Sequence, residues 1–218
     1  MVKKRDACKK CGNCCEQGGP ALHERDLRLV RDGKIPISRL VTIRKGELTH
    51  NPVSGAIQPA DVELIKITGK GGRWECRYFD KQRGCTIYAD RPQACVLLKC
   101  WDTEDILKLV GRETLNRFDI LGADHSMVPV IKEHERIFPY PDLMYISKHG
   151  NRQSAHQLKE LEQQVREDLS FRIKVIRDFD LKLSEELFYF GRPLFQLLQP
   201  LGAIIRESQS GVTLSWKI

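Results

Sequence analysis

The chain has 218 residues, 41% hydrophobic and 30% charged, a balance that suits a globular protein with a sizeable core and excludes a disordered or fibrous one. A formal charge of +7 and a pI near 9.0 would by themselves suggest a nucleic-acid partner. No apolar stretch follows the basic start MVKKRDAC, and the most apolar run, LFQLLQPLGAII, is short and broken by Gln and Pro, so a cytoplasmic protein with no membrane span is expected.

The first element is the run CKKCGNCC, which places Cys8, Cys11, Cys14 and Cys15 within eight residues. Disulfides are rare in a reducing cytosol, and a pair three residues apart would close a very small loop. Thiolates in this density point instead to a soft metal centre, zinc or iron–sulfur. Gly12, and to a lesser degree Asn13, tolerate the positive φ of a knuckle in which backbone N–H groups turn toward sulfur. If the segment is extended, the adjacent Cys14 and Cys15 point to opposite sides and serve different partners.

Residues 20–32, PALHERDLRLVRD, suit a short helix. RLVTIRKGEL and DVELIKITGKGGRWECRYF read as strands with Gly-rich turns, giving a small sheet beside the cysteines. Four more cysteines follow, Cys76, Cys85, Cys95 and Cys100. Pro92 fits the first turn of a short helix, with Asp90 as its cap, which puts Cys95 near a helix N-terminus where a thiol pKa falls. Cys95 and Cys100 would not share a helical face, so Cys100 is expected past the helix end. Trp74 and Trp101 flank the segment, as a shield against water or as ordinary core aromatics.

WDTEDILKLVG reads as a helix with an acidic first turn and Gly at its end. The stretch from Phe118 to Asp142 carries three prolines and several turn residues and is expected to be a connection. Beyond it, LMYIS is expected as a strand. Ser154 and Gln157 form a capping box ahead of Leu158, Leu161, Val165 and Leu169 at helical spacing. SFRIKV alternates like a strand or prolongs that helix. A further helix is expected from Ser184 to about Leu198, interrupted at Gly191 and Pro193, and a hairpin turning near Gln209 to Gly211 closes the chain. The expected class is therefore α+β: a cysteine-rich metal-binding domain over residues 1–118, a connection over 119–142, and a compact α+β half of unassigned role over 143–218.

CKKCGNCC followed by CTIYADRPQAC, with Tyr88, Arg91 and Pro92 between the last two cysteines, resembles the zinc- or iron-chelating CxxCxxCC cysteine-cluster family, also called YkgJ-like. The resemblance covers roughly residues 8–101. It implies that all eight cysteines, Cys8, Cys11, Cys14, Cys15, Cys76, Cys85, Cys95 and Cys100, serve metal. One relative, the flagellin lysine methylase, joins such a cluster to methyl transfer; no motif in this chain independently supports that activity.

Eight thiolates can fill two closed zinc sites, two iron–sulfur clusters, or one centre with spare structural cysteines. Eight thiolate charges against two dications lower the formal +7 by four, to +3, so much of the basicity is compensation for metal–thiolate charge. The six histidines are scattered without ligand spacing, and only His23 lies near the first cluster. The expected function is a metal-binding protein holding iron–sulfur or zinc, a redox accessory in the first reading. A cluster-dependent oxidoreductase or methyl transferase and a zinc-stabilised nucleic-acid-binding module are the alternatives. A protein partner is compatible with all three.

Overall fold

The computed structural model describes residues 7–208 and 211–216. Near the start, α1 (Asn13–Glu16) follows the left-handed Gly12, and α2 (Leu27–Arg31) continues a single 3-10 turn over Glu24–Asp26. β1 (Leu40–Ile43) pairs antiparallel not with its neighbour β2 (Leu48–His50), which pairs with β3 (Ile57–Pro59), but with β4 (Leu64–Ile67). The far edge of β4 receives residues 20–22: Leu22 N–H donates to Ile65 O at 2.7 Å and Ile67 N–H to Pro20 O at 3.1 Å. Strands β5 (Gly69–Lys70) and β6 (Arg73–Cys76), then β7 (Phe79–Asp80) and β8 (Gly84–Cys85), form two more ladders. The expected small sheet is thus a set of separate two-stranded ladders, one of which, β5–β6, shifts register between Gly69 and Lys70.

Helices dominate from there: α3 (Gln93–Leu97), α4 (Glu104–Leu109), α5 (Arg117–Leu121), α6 (Met127–Ile137), α7 (Leu143–His149), α8 (Ala155–Asp178), α9 (Glu186–Phe190) and α10 (Leu194–Leu198). The hairpin β9 (Ala203–Ser208) and β10 (Gly211–Trp216) closes the chain, and its turn at 209–210 lies outside the described residues. The class is α+β. Among the described residues, no helix is long and apolar enough to cross a membrane.

The stretch expected as a connection holds α6 and the end of α5; Pro129 sits in the first turn of α6, where its missing N–H breaks no intrahelical bond. Other expectations need correction. LMYIS is helix, not strand, because Asp142 caps it by accepting from Tyr145 N–H at 2.8 Å and Leu143 and Ile146 bury one helical face. SFRIKV prolongs α8, whose capping box forms as expected: Ser154 Oγ accepts from Gln157 N–H, and Gln157 Oε1 from Ser154 N–H. The expected β-α-β-α-β-β order of the C-terminal half therefore gives way to helices followed by one hairpin.

Two apolar cores hold the chain. The first joins Leu22, Leu40, Ile65 and Phe79 to Leu115 and Ile131, and takes in Val175 and Phe188 to Phe190, so it draws on both sides of residues 119–142. α9 lies on β1, where Thr42 Oγ1 donates to Phe188 O at 2.5 Å. Gly191 ends α9 at φ 70°, and any Cβ there would stand 2.9 Å from Thr42 O, so glycine is required twice over. The second core packs Leu161 and Val165 of α8 against Leu143, Leu194, Leu198 and Leu214.

Candidate metal centre

The first cysteine run forms the expected knuckle. Lys10 N–H donates to Cys8 Sγ at 3.3 Å, and Gly12 adopts φ 87°. Asn13 is helical; the second residue with positive φ is Lys10, at 55°. A Cβ on Gly12 would run into the Phe79 ring, so the knuckle lies directly on β7. Lys10 reaches over the Tyr88 ring, 4.4 Å from its centroid, a second tie between the two cysteine segments.

Cys14 and Cys15 both lie in α1, not in an extended segment, so the expectation that they face opposite sides fails. Their side chains hydrogen-bond to each other. That bond lowers the Cys14 thiol to about 6 and holds the Cys15 thiol well above its ordinary value. One proton shared between the two sulfurs accounts for both directions.

In the second segment Cys76 is buried, and its sulfur accepts from the Tyr78 backbone N–H, repeating the arrangement at Cys8 and Lys10. No spacing signal marks this second knuckle, because Tyr78 supplies only its backbone. Cys95 occupies the first turn of α3, as expected from Pro92, but Asp90 does not cap that helix. The cap comes from Asp26, 67 residues earlier: its Oδ1 accepts from Gln93 N–H at 2.8 Å while its Oδ2 accepts from His23 N–H at 2.9 Å. Burial pushes the Asp26 carboxyl up. Cys95 also departs from expectation, since burial raises its thiol to about 12 and the neighbouring Cys76, Cys85 and Cys14 add to the rise. Desolvation outweighs the small dipole of a five-residue helix.

Fields from Cys14, Cys76 and Cys85 act on Cys15 and Cys95, so five thiols from the two segments share one neighbourhood. Cys8, Cys11 and Cys100 are exposed, and Cys100 lies past the end of α3 as expected. His23 is buried and its Nδ1 donates to Arg112 O at 2.9 Å, which leaves it part of the scaffold. Trp74 is 59% exposed and belongs to no core. Residues 7–113 match the model of a family described as "Putative zinc- or iron-chelating domain". They form a CxxCxxCC domain. No curated protein and no solved structure matches the chain.

The CxxCxxCC domain ends just before α5 and contains all eight cysteines. Among its described residues, no three Cys, His, Asp or Glu side chains stand together as a ready-made ligand set. Its donor chemistry nevertheless fits zinc or iron. The thiols are soft ligands drawn from two segments, backbone N–H groups already aim at three of the sulfurs, and burial of Cys76 and Cys95 holds those two thiols protonated in the absence of a cation.

Proposed function

We propose that the CxxCxxCC domain holds an iron–sulfur centre with ligands drawn from both cysteine segments, and that the chain acts as a cytoplasmic redox accessory. Cys8, Cys11, Cys14 and Cys15 supply sulfur from the first segment; Cys76, Cys85, Cys95 and Cys100 supply it from the second. The observation that supports this proposal is that Cys15 packs against the core containing Cys76 and Phe79, with Gly12 against the Phe79 ring, so the two cysteine segments lie side by side. A bound cluster supplies one-electron transfer. The chain's own share is to orient sulfurs through the Lys10 and Tyr78 N–H donors, to hold Cys95 through the Asp26 cap, and to bury Cys76 from water. Hydrogen bonds to cluster sulfurs and exclusion of water are the levers that set a reduction potential.

The C-x2-C-x2-C spacing of Cys8, Cys11 and Cys14 matches a bacterial ferredoxin run and favours iron–sulfur over zinc. Protein purified without oxygen is expected to be brown, to contain iron and acid-labile sulfide, and to bleach on reduction. Colourless protein with stoichiometric zinc would replace the cluster with a structural centre and remove the redox role.

A further inference from the structure

A cleft of about 410 Å³ opens beside the CxxCxxCC cysteines without including any of them. Its floor is the outer face of the β1–β4 ladder. Along β4 the side chains alternate: Ile65 and Ile67 enter the first core, while Leu64 and Lys66 face the other way, with Ile43 paired opposite Leu64. The β2–β3 hairpin makes one wall; Trp74 and Arg192 make the other. The volume falls in the range of about 300–1,000 Å³ typical of small-molecule sites.

Lys66 and Arg192 line this cleft together with the exposed Asp61, and Glu47 lies beneath them. The Lys66 side chain is half-buried, and its ammonium makes no hydrogen bond and no close ion pair among the described residues. Burial pushes its ammonium pKa down, and the charge of Arg192 adds to that. Glu47, the carboxylate whose field opposes the shift, is fully buried: its Oε1 accepts from Arg192 Nε at 2.8 Å and from Arg192 Nη2, while its Oε2 finds no partner among the described residues. Arg192 Nη1 is left with no acceptor among the described residues. The guanidinium also lies 5.3 Å from the centre of the Trp74 ring, so the exposed indole and the cation form one surface. Two unused donors, Lys66 Nζ and Arg192 Nη1, thus stand over apolar side chains and beside an indole.

We infer that this cleft binds a small organic oxyanion, a carboxylate or a phosphate ester with an apolar body. Lys66 and Arg192 Nη1 hold the anionic group, and Leu64, Ile43 and Trp74 take the apolar part. The site stands independently of which metal the cysteines hold. It lies close to them along the chain, since Gln17 and Trp74, both lining the cleft, are two residues from Cys15 and Cys76.

The full-length protein tests this with three probes: phenyl phosphate, benzoate, and phenol as the uncharged body. At least one of the two anions is expected to bind saturably by calorimetry and to change tryptophan fluorescence, with phenol much weaker. Lys66→Met, which keeps the stem and removes the charge, should weaken that binding by about tenfold or more, as loss of a charge-assisted hydrogen bond does. Trp74→Phe should abolish the fluorescence response while calorimetric binding persists. If Lys66→Met does not fold, acetic anhydride labelling of the wild type decides, since a bound anion should protect Lys66 specifically. Absence of saturable binding by both anions, phenol binding as tightly as they do, unchanged affinity in Lys66→Met, or unprotected Lys66 would overturn the inference.

Discussion

The two regions of this molecule keep their polar groups in order by opposite means. In the helical region beyond residue 113, buried charges find partners within the protein. Arg117 is fully buried, yet it donates from Nε and Nη2 to Glu63, from Nη2 to Glu135, and from Nη1 to Tyr189 O at 2.6 Å. Asp168 receives His134 Nε2 and Arg172 Nε, both at 2.7 Å, and Leu194 N–H at 3.2 Å. In the cysteine region the ladders are two to four residues long, and among the described residues no three Cys, His, Asp or Glu side chains stand together. A self-satisfied network stabilises the fold as synthesised; a thiol ligand set is complete only once metal joins it.

Removing the metal should break this contrast most strongly. Structural metal in small thiolate modules contributes on the order of 10–16 kcal/mol, comparable to a whole domain's roughly 5–15 kcal/mol. Chelation should therefore raise hydrogen exchange and proteolysis in residues 8–19 and 76–101 while α8 and the second core stay protected. Uniform loss of protection along the chain, or none, would contradict the division. Next in size is Arg117→Met. Arg117 ties Glu63 of the cysteine region to α6 and α9, and breaking a buried ion pair costs about 3–5 kcal/mol. Denaturant unfolding should show that loss, and a change below about 1 kcal/mol would mean that the bridge is expendable.

Acid should act on the helical region through His134. Burial lowers its pKa to about 4, the Asp168 hydrogen bond pulls it back up, and the charge of Arg172 lowers it further. Nε2 carries the proton toward Asp168, so the unprotonated Nδ1 is the buried atom that finds no partner, enclosed by Phe138, Phe171 and Phe190. The unfolded chain takes up this proton near pH 6.5 and the folded chain only near 4. The contribution, about 3 kcal/mol, is thus fully present above pH 6.5 and lost as pH falls toward 4. The depressed Asp168 carboxyl adds a loss at still lower pH, whereas Asp26 and Glu47, both raised by burial, offset part of the fall. Nitrogen NMR of the His134 ring should report a neutral imidazole at pH 5; a charged ring at that pH would show that Asp168 outweighs burial. The smallest effect is expected at the seam between α2 and α3. Asp26→Ala removes the cap from Gln93 N–H and should cost about 1 kcal/mol, with faster exchange confined to α3 and its Cys95. Undisturbed exchange at Gln93 would show that the cap is idle.

Local chemistry was legible in the residues. The knuckle at Cys8, the short helix after Pro92, the capping box at Ser154 and the breaks at Gly191 and Pro193 each follow from neighbours a few positions apart. Whatever depends on distant partners was not. Asp26 caps a helix 67 residues away, so Asp90, the local candidate, was the wrong choice. α6 survives its proline because Pro129 falls in the first turn, which composition alone cannot locate. The Cys95 thiol rises because the fold buries it among other sulfurs, a crowding that spacing does not reveal. The Lys66 and Arg192 cleft has no motif at all; it arises from strand alternation meeting a side chain 126 positions later.

Whether the two cysteine segments share a metal centre is decided by the amount of metal bound per chain in paired variants. Cys11→Ser with Cys14→Ser disarms the first segment, and Cys85→Ser with Cys95→Ser disarms the second. If the segments share a centre, either pair alone empties it and the quadruple variant loses less than the sum of the two pairs, the signature of groups that act as a unit. Losses that add, each pair removing its own metal and leaving the other's intact, would contradict a shared centre.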